Sequence, residues 1–337
     1  MWKGLYPPQA IFYRRRFERV VLNPPEIKPG NWCGAGKLWH DPYDPGYWLT
    51  SRPRVGSERR GYAAEIYRSE DGASYDLAGT LSKEEISEMV GERVQSIENQ
   101  QLLRDPTTGR FHLYLSLDVC RENVAGQADR VYDSRWETFL LTAEDPAGPW
   151  SGEGFVLRAD GEYDSAEARD STVDIIDGTY IALYKARRAG KSIVRMALAT
   201  SPDGRRWRKH GILGLDRGKQ PDFFLLNGSI MAASRNPVFV GIQTTEVVKG
   251  AALSKHFAAY SIDLVAGRLD RILLAPWEQG SAYEHPAYPI HTYSTIAEDP
   301  QHGRFLIMVE AVDPVESIEP GLNLEVDRVL LYTSPMP

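Results

Sequence analysis

Two cysteines in 337 residues, Cys33 and Cys120, are too few for a disulfide framework or a cysteine zinc site, so both are expected to be free thiols. No apolar run reaches membrane-spanning length, and Met1 to Pro8 lacks the apolar core of a signal peptide, so the reading expects a cytoplasmic protein. Net charge is only −7 with both signs interspersed, which leaves no broad attraction to nucleic acid or to an anionic membrane. The cluster Arg14-Arg15-Arg16 is short and reads as a solvated strand face. Gly-x-Ser-x-Gly and His-Glu-x-x-His are both missing, which removes the common nucleophile elbow and the zinc-peptidase helix. Ala189-Gly190-Lys191-Ser192 resembles the end of a phosphate loop, but Lys185 stands where the first glycine is required, so a hairpin turn is expected.

What the chain does have is one pattern repeated five times. A strand starts at a polar end, makes a tight turn and returns beside itself. The pairs are Gly34–His40 with Tyr47–Thr50, Ser96–Leu103 with Arg110–Leu115, Ala168–Ile176 with Thr179–Lys185, Gln220–Leu226 with Ser229–Ala233, and His291–Ala297 with Arg304–Glu310. The fourth turn is read at Asn227-Gly228. A second motif follows several of these hairpins: Tyr67–Tyr75, Leu141–Trp150 and Ala199–Trp207 each give a third strand, an acidic glycine turn and an aromatic. Four strands per unit and five units predict an all-β, five-bladed propeller forming one domain over residues 1–337. Phe17–Leu22 has no local partner, and Val329–Ser334 lacks a fourth strand; the first can complete the blade of the second and close the ring. Glu84–Arg93, Arg121–Arg135, Glu246–His256 and Trp277–Pro289 read as insertions beside the ring.

In a propeller the first strand of each blade starts beside a central funnel and the second returns to it. The strand starts offer Trp32, Glu98, Asn99, Arg169, Asp170, Gln220, Asp222, His291 and Tyr293. The returning ends offer Arg52, Asp118, Lys185, Arg187, Arg235 and Glu310. Charges at such positions are costly unless paired. Either they cross-link blades, Asp170 with Lys185 or Arg187 and Glu98 with an arginine, or they are carboxylates poised across a glycosidic bond.

On these residues the chain resembles the five-bladed glycosidases of families 32, 43, 68, 117 and 130. Arg169-Asp170-Ser171 is similar to the Arg-Asp-Pro segment of the invertase-like family, without its proline. Lys219-Gln220-Pro221-Asp222 is similar to that family's Glu-Cys-Pro-Asp, without its Glu. Ser96-Ile97-Glu98-Asn99-Gln100 resembles the Glu-Asp-Pro-Arg motif of mannoside phosphorylases, with Asn99 in place of Asp. No single family is assigned.

The resemblance implies a hydrolase acting on a small carbohydrate. Glu98 is expected as acid or base, Asp170 as base or sugar-hydroxyl ligand, and Glu310 as the third carboxylate. Trp32, Arg52, Asn99, Arg169, Lys185, Gln220, Asp222, Arg235, Glu284, His291 and Tyr293 are expected to bind substrate, and Tyr184 is a further candidate stacking face. No cofactor is required; an axial calcium is compatible with the channel, but no spacing calls for it. His285, His291 and Glu284 could surround a metal, although hydrogen-bonding roles suit loop histidines better. A phosphorylase holding phosphate on Arg52, Lys185, Arg187 or Arg235, and a propeller that only binds sugar, are the alternatives. Oligomeric state is left open.

Overall fold

The computed structural model describes residues 8–56, 59–120, 134–216, 218–221, 224–231, 237–244, 255–317 and 325–336. Strands dominate. A short helix, α1 (Pro8–Tyr13), and strand β1 (Arg16–Leu22) precede a first antiparallel run in chain order: β2 (Ala35–His40), β3 (Tyr47–Ser51), β4 (Ala63–Ser69) and β5 (Asp76–Ser82). Helix α2 (Lys83–Val90) follows, opened by a capping box between Ser82 and Glu85 and closed by Gly91. The second run is β6 (Arg93–Arg104), β7 (Phe111–Cys120), β8 (Ser134–Ala143) and β9 (Ser151–Leu157). The third is β10 (Glu167–Ile176), β11 (Thr179–Arg187), β12 (Val194–Ser201) and β13 (Arg208–Ile212), joined to the second by one parallel pairing of Glu167 with Trp136.

The fourth run is β15 (Leu225–Met231), β16 (Val238–Thr244), β17 (Lys255–Asp263) and β18 (Arg268–Pro276), with the two-residue β14 (Gly214–Leu215) along the outer edge of β18. The last is β19 (Ile290–Asp299), β20 (Arg304–Val312) and β21 (Asp327–Pro335), and β1 pairs antiparallel with β21 from Arg16–Thr333 to Leu22–Val329. The unpartnered N-terminal strand and the incomplete C-terminal unit thus meet, as their sequences anticipate.

Burial explains the composition of each strand. Second strands are covered on both faces: all ten residues of β7 are buried, and its sequence is a near-continuous apolar run. Outer strands such as β9 expose their first three residues and are correspondingly polar. Between successive runs lie apolar cores, for example Trp48 and Ile66 against Ile97 and Leu115, and Leu183 and Leu198 against Phe239 and Tyr260. Another packs Leu38 and Leu49 against Leu306, Met308 and Leu331, so the last run is seated on the first. Full burial of each such side chain stabilises by about 1.5–3 kcal/mol. The innermost strands β2, β6, β10, β15 and β19 touch one another in that order, and β19 touches β2.

One hairpin differs from the sequence reading. Asn227-Gly228 is no turn: both residues lie inside β15, opposite Ile242 and Gly241, and β15 continues to Met231. Its true partner is β16, not Ser229–Ala233. Gly228 is needed for close approach, since a Cβ there would lie 2.3 Å from the Val240 carbonyl oxygen and 2.7 Å from Gly241 Cα.

Candidate active site

Among the described residues, four of the five inner strands break register at the same end. The shifts fall between Ala35 and Leu38 in β2, Ile97 and Gln100 in β6, Arg169 and Thr172 in β10, and Ile290 and Ser294 in β19. Bulges bend a strand and re-aim its side chains, and they gather beside active sites. Here they turn Glu98, Asp170, His291 and Tyr293 toward one another. Asp170 carries the strain of this: its φ is +52°, in the left-handed region that a non-glycine residue occupies only when its surroundings hold it there.

The result is a buried, continuous charge network. Asp170 Oδ2 lies 2.5 Å from Lys185 Nζ and 3.3 Å from Arg169 Nη1, and accepts a hydrogen bond from Tyr293 Oη at 3.0 Å. Glu98 accepts from Arg60 at 2.7 and 3.0 Å and lies 3.1 Å from Arg52 Nε. Arg52, 1% exposed, reaches on to Glu310, with Nη2 3.9 Å from Oε1. Glu310 Oε2 accepts from the Tyr293 backbone N–H at 3.1 Å and lies 3.4 Å from His291 Nδ1. Asp327, at the start of β21, lies 3.8 Å from the same ring nitrogen. Its other oxygen accepts from the Cys33 and Gly34 backbone N–H groups at 2.7 and 3.3 Å. Gly34, with φ +65°, lets the chain pass close to Arg52: a Cβ there would lie 2.3 Å from the Arg52 carbonyl oxygen.

Electrostatics divides the carboxyls into two kinds. Burial would push Glu98 up, but Arg52 and Arg60 outweigh it and hold the carboxyl down to about 2. Burial likewise opposes ionisation of Asp170, and Lys185 and Arg169 nevertheless hold it well below the usual range. Glu310 and Asp327 form a coupled pair. The burial cost on Glu310 is overcome by His291, so it is lowered; burial and the neighbouring Glu310 raise Asp327. Against the cost of its own burial, His291 is lifted to about 9, chiefly by Glu310. Glu98 and Asp170 are therefore anionic at neutral pH, whereas the His291–Glu310–Asp327 cluster carries protons.

Aromatic rings wall the network. Arg52 lies over the ring of Tyr293 at 5.0 Å, Arg54 over Trp32 at 4.2 Å and Arg169 over Trp136 at 4.2 Å. Trp32 is itself buried, its Nε1–H donating to the Glu325 carbonyl oxygen and its edge meeting His291. Asn99 donates to the Ser171 carbonyl oxygen, tying β6 to β10.

The sequence candidates thus separate. Glu98, Asp170, Glu310, Arg52, Arg169, Lys185, His291 and Tyr293 converge, with Trp32 and Asn99 at their border. Arg187 pairs with Glu167 rather than Asp170. Gln220 belongs elsewhere: its amide accepts from the Met196 N–H and donates to the Met196 and Leu213 carbonyl oxygens, stapling its loop segment to β12 and the residue after β13. Glu284 is also no funnel residue. It sits fully buried in the outer loop before β19, accepting from Trp277, the Gly280 and Ser281 N–H groups and Tyr332. Tyr184 is core, its hydroxyl donating to Asp164. Asp222 and Arg235 lie outside the described residues. Asp327 and Arg60 escaped the sequence reading because neither stands at a first-strand start or second-strand end; only the acid-base pattern beginning β21 hinted at the former.

Among the described residues, the His/Asp/Glu group able to surround a cation is His291, Glu310 and Asp327, whose ligand atoms lie within 4.8 Å of one another, not His285 with Glu284. Deeper between the inner strands, the buried Lys37 ammonium donates to the Gly228 carbonyl oxygen at 2.5 Å and to Thr172 at 3.2 Å. A separate cavity of about 270 Å³ opens at the opposite end of the inner strands, lined by Leu38, Gln101, Asp174, Met231 and Glu298, away from the charge network.

No family model and no curated protein matches this sequence. Solved structures do match. A glycosyl hydrolase from Bacteroides ovatus is 12% identical, with 99% of each chain covered and a TM-score of 0.61. A family 117 glycoside hydrolase from Zobellia galactanivorans is 13% identical over 97% of this chain and 91% of its own, with a TM-score of 0.57. An exo-β-1,3-galactanase from Phanerochaete chrysosporium is 12% identical over 96% of this chain, at a TM-score of 0.59, and this chain spans 66% of its length. At such identities the likeness is one of fold. The chain resembles the five-bladed β-propeller glycoside hydrolases as a group, with no single family singled out.

Proposed function

We propose that the chain is a single five-bladed propeller, closed by β1 in its last blade, that hydrolyses a short oligosaccharide or glycoside. The observation that carries this reading is the set of bulges that gathers Glu98, Asp170 and the His291–Glu310–Asp327 cluster at one end of the inner strands. Cross-linking alone does not call for four register breaks and a left-handed Asp170. Cyclic contact of the inner strands and the core shared by the first and last runs support closure of the ring.

Glycoside hydrolysis needs a carboxylate and a proton donor on opposite sides of the bond. Glu98 and Asp170, held ionised, suit the first need: one activates water or attacks the sugar while the other binds hydroxyls and faces the positive charge that develops on the ring. This removes Glu98 as the acid. The proton comes from the cluster in which Asp327 is raised and His291 is charged, with Glu310 between them. Tyr293 and Arg52 hold the two halves in register. Arg52, Lys185 and Arg187 each face a carboxylate, which favours water over phosphate as acceptor, while Arg235, the fourth cation able to hold phosphate, lies outside the described residues.

A panel of aryl glycosides, furanosides included, assayed with and without phosphate tests this. Phosphate-independent release is expected. Strictly phosphate-dependent release would make the protein a phosphorylase, and sugar binding without release from any substrate would make it a binding module.

A further inference from the structure

Arg54 stands apart from the other arginines of the network, and the reaction as described does not use it. It closes the segment Arg52-Pro53-Arg54 that leaves β3. Its backbone N–H donates to the Trp32 carbonyl oxygen at 2.9 Å, and its own carbonyl accepts from the Trp32 N–H at 3.1 Å. The Arg54 and Arg52 guanidinium groups share one ring, lying 4.2 and 5.7 Å from the centre of Trp32, whose edge meets His291. Arg54 is 4% exposed, and its Nε–H donates to the Gly56 carbonyl oxygen at 2.8 Å. Among the described residues no carboxylate pairs with it, whereas Arg52 and Arg60 face Glu98 and Arg169 faces Asp170. Neither of its terminal amino groups is sealed in, unlike Nη1 of Arg52.

The geometry points to Arg54 as a specificity-determining residue that selects a substrate carrying an oxyanion, a uronate carboxylate or a sulfate ester, on the sugar bound beside Glu98. Burying a charge without a partner is unfavourable, and a ligand that supplies the partner recovers that loss on binding. The chain's own carboxylates do not supply it. Burial and then the neighbouring Arg60 bring the guanidinium down to about 10, although Glu98 and Asp327 pull the other way. It remains charged at neutral pH. With Nε spent on Gly56, the two terminal amino groups form a fork that matches the paired oxygens of a carboxylate or sulfate. Trp32 beneath the fork fixes its plane, so little freedom is lost when an anion binds. A sugar hydroxyl could accept a hydrogen bond there but would leave the charge uncompensated.

This inference rests on the glycosidase reading for its substrate class, but it is tested by binding. Calorimetric titration compares trigalacturonate and a sulfated galactose trisaccharide with neutral galactotriose, and with inorganic phosphate alone. The proteins are wild type, Arg54→Gln, Arg54→Lys and, as an exposed cation elsewhere, Arg271→Ser. One or both acidic sugars should bind at least about tenfold tighter than the neutral one, and which acid wins identifies the group. The preference should vanish in Arg54→Gln, persist at least in part in Arg54→Lys, which keeps the charge, and be unchanged in Arg271→Ser. Arg54→Gln should melt no lower than wild type, because it removes a charge that nothing compensates. Equal affinity for acidic and neutral sugars, no binding of either acid, or a preference that survives Arg54→Gln overturns the assignment. So does phosphate binding tighter than both acids, or a melting temperature in Arg54→Gln well below wild type, which would make Arg54 a structural residue. Selective acid binding without turnover of any glycoside would leave the assignment standing and remove the hydrolase. Turnover without charge preference would do the reverse.

Discussion

Asp170 Oδ2 and Lys185 Nζ lie 2.5 Å apart although β-sheet geometry alone would separate them. Cross-strand partners share a face, and the partner of Lys185 is Arg169, so the next residue should point to the opposite side. The bulge after Arg169, with Asp170 at φ +52°, returns the carboxylate to the lysine's side and into contact with Tyr293 from β19. A strained backbone thus joins two sheets through one acidic group.

Glu98 makes stability sensitive to acid. Its carboxyl is lowered from 4.5 to about 2 in the folded state, so its contribution is fully present above about 4.5 and is lost as pH falls toward 2. The shift corresponds to roughly 3 kcal/mol. Denaturant titrations from pH 6 to 2 should show wild type losing more stability over that window than Glu98→Gln. Parallel profiles would mean that Arg52 and Arg60 do not hold the charge.

His291 acts on the alkaline side. A pKa raised from 6.5 to about 9 gives stability that is complete below 6.5 and disappears as pH climbs through 9. His291→Asn should flatten the decline between those values. An unchanged decline would remove the ion pair with Glu310 from the account.

If the cluster supplies the proton, Asp327→Asn should lower kcat about 10²-fold or more on glycosides with poor leaving groups. Nitrophenyl glycosides, which need little protonation, should suffer much less. A uniform loss across leaving groups would assign Asp327 a purely structural part.

Gly228→Val should destabilise by roughly 2 kcal/mol or more, because β15 and β16 have no room for a side chain there. Were Asn227-Gly228 a hairpin turn, the substitution would be read in loop conformation alone, with the Gly241 backbone untouched. Chemical denaturation together with the same measurement on Gly241→Val separates the two, since only paired mid-strand glycines should respond alike.

Much of this was legible in the sequence. Alternation and turn chemistry place four of the five hairpins, and polar residues where apolar ones belong mark Glu98, Asp170, Lys185 and Glu310. The bulges were not legible, because they depend on what the facing sheets present rather than on local propensity. Asn227-Gly228 misled because the same dipeptide that favours a turn also permits close strand contact. Glu284 misled for a different reason. It is a carboxylate in an insertion beside the ring, where sites form, yet here it folds the loop onto Tyr332.

The pairing of Asp170 with Lys185 is also the most direct test of whether this network catalyses or only cross-links. Asp170→Asn alone should cost about 3 kcal/mol by leaving a buried ammonium without its counter-charge, and adding Lys185→Met should recover most of that. The measurement is turnover of the best aryl glycoside by the folded double variant. The account predicts stability near wild type with turnover reduced at least about 10³-fold, as expected when an ionised carboxylate is removed from the reaction. Turnover that returns along with stability would contradict it and leave Asp170 as a structural tie between blades.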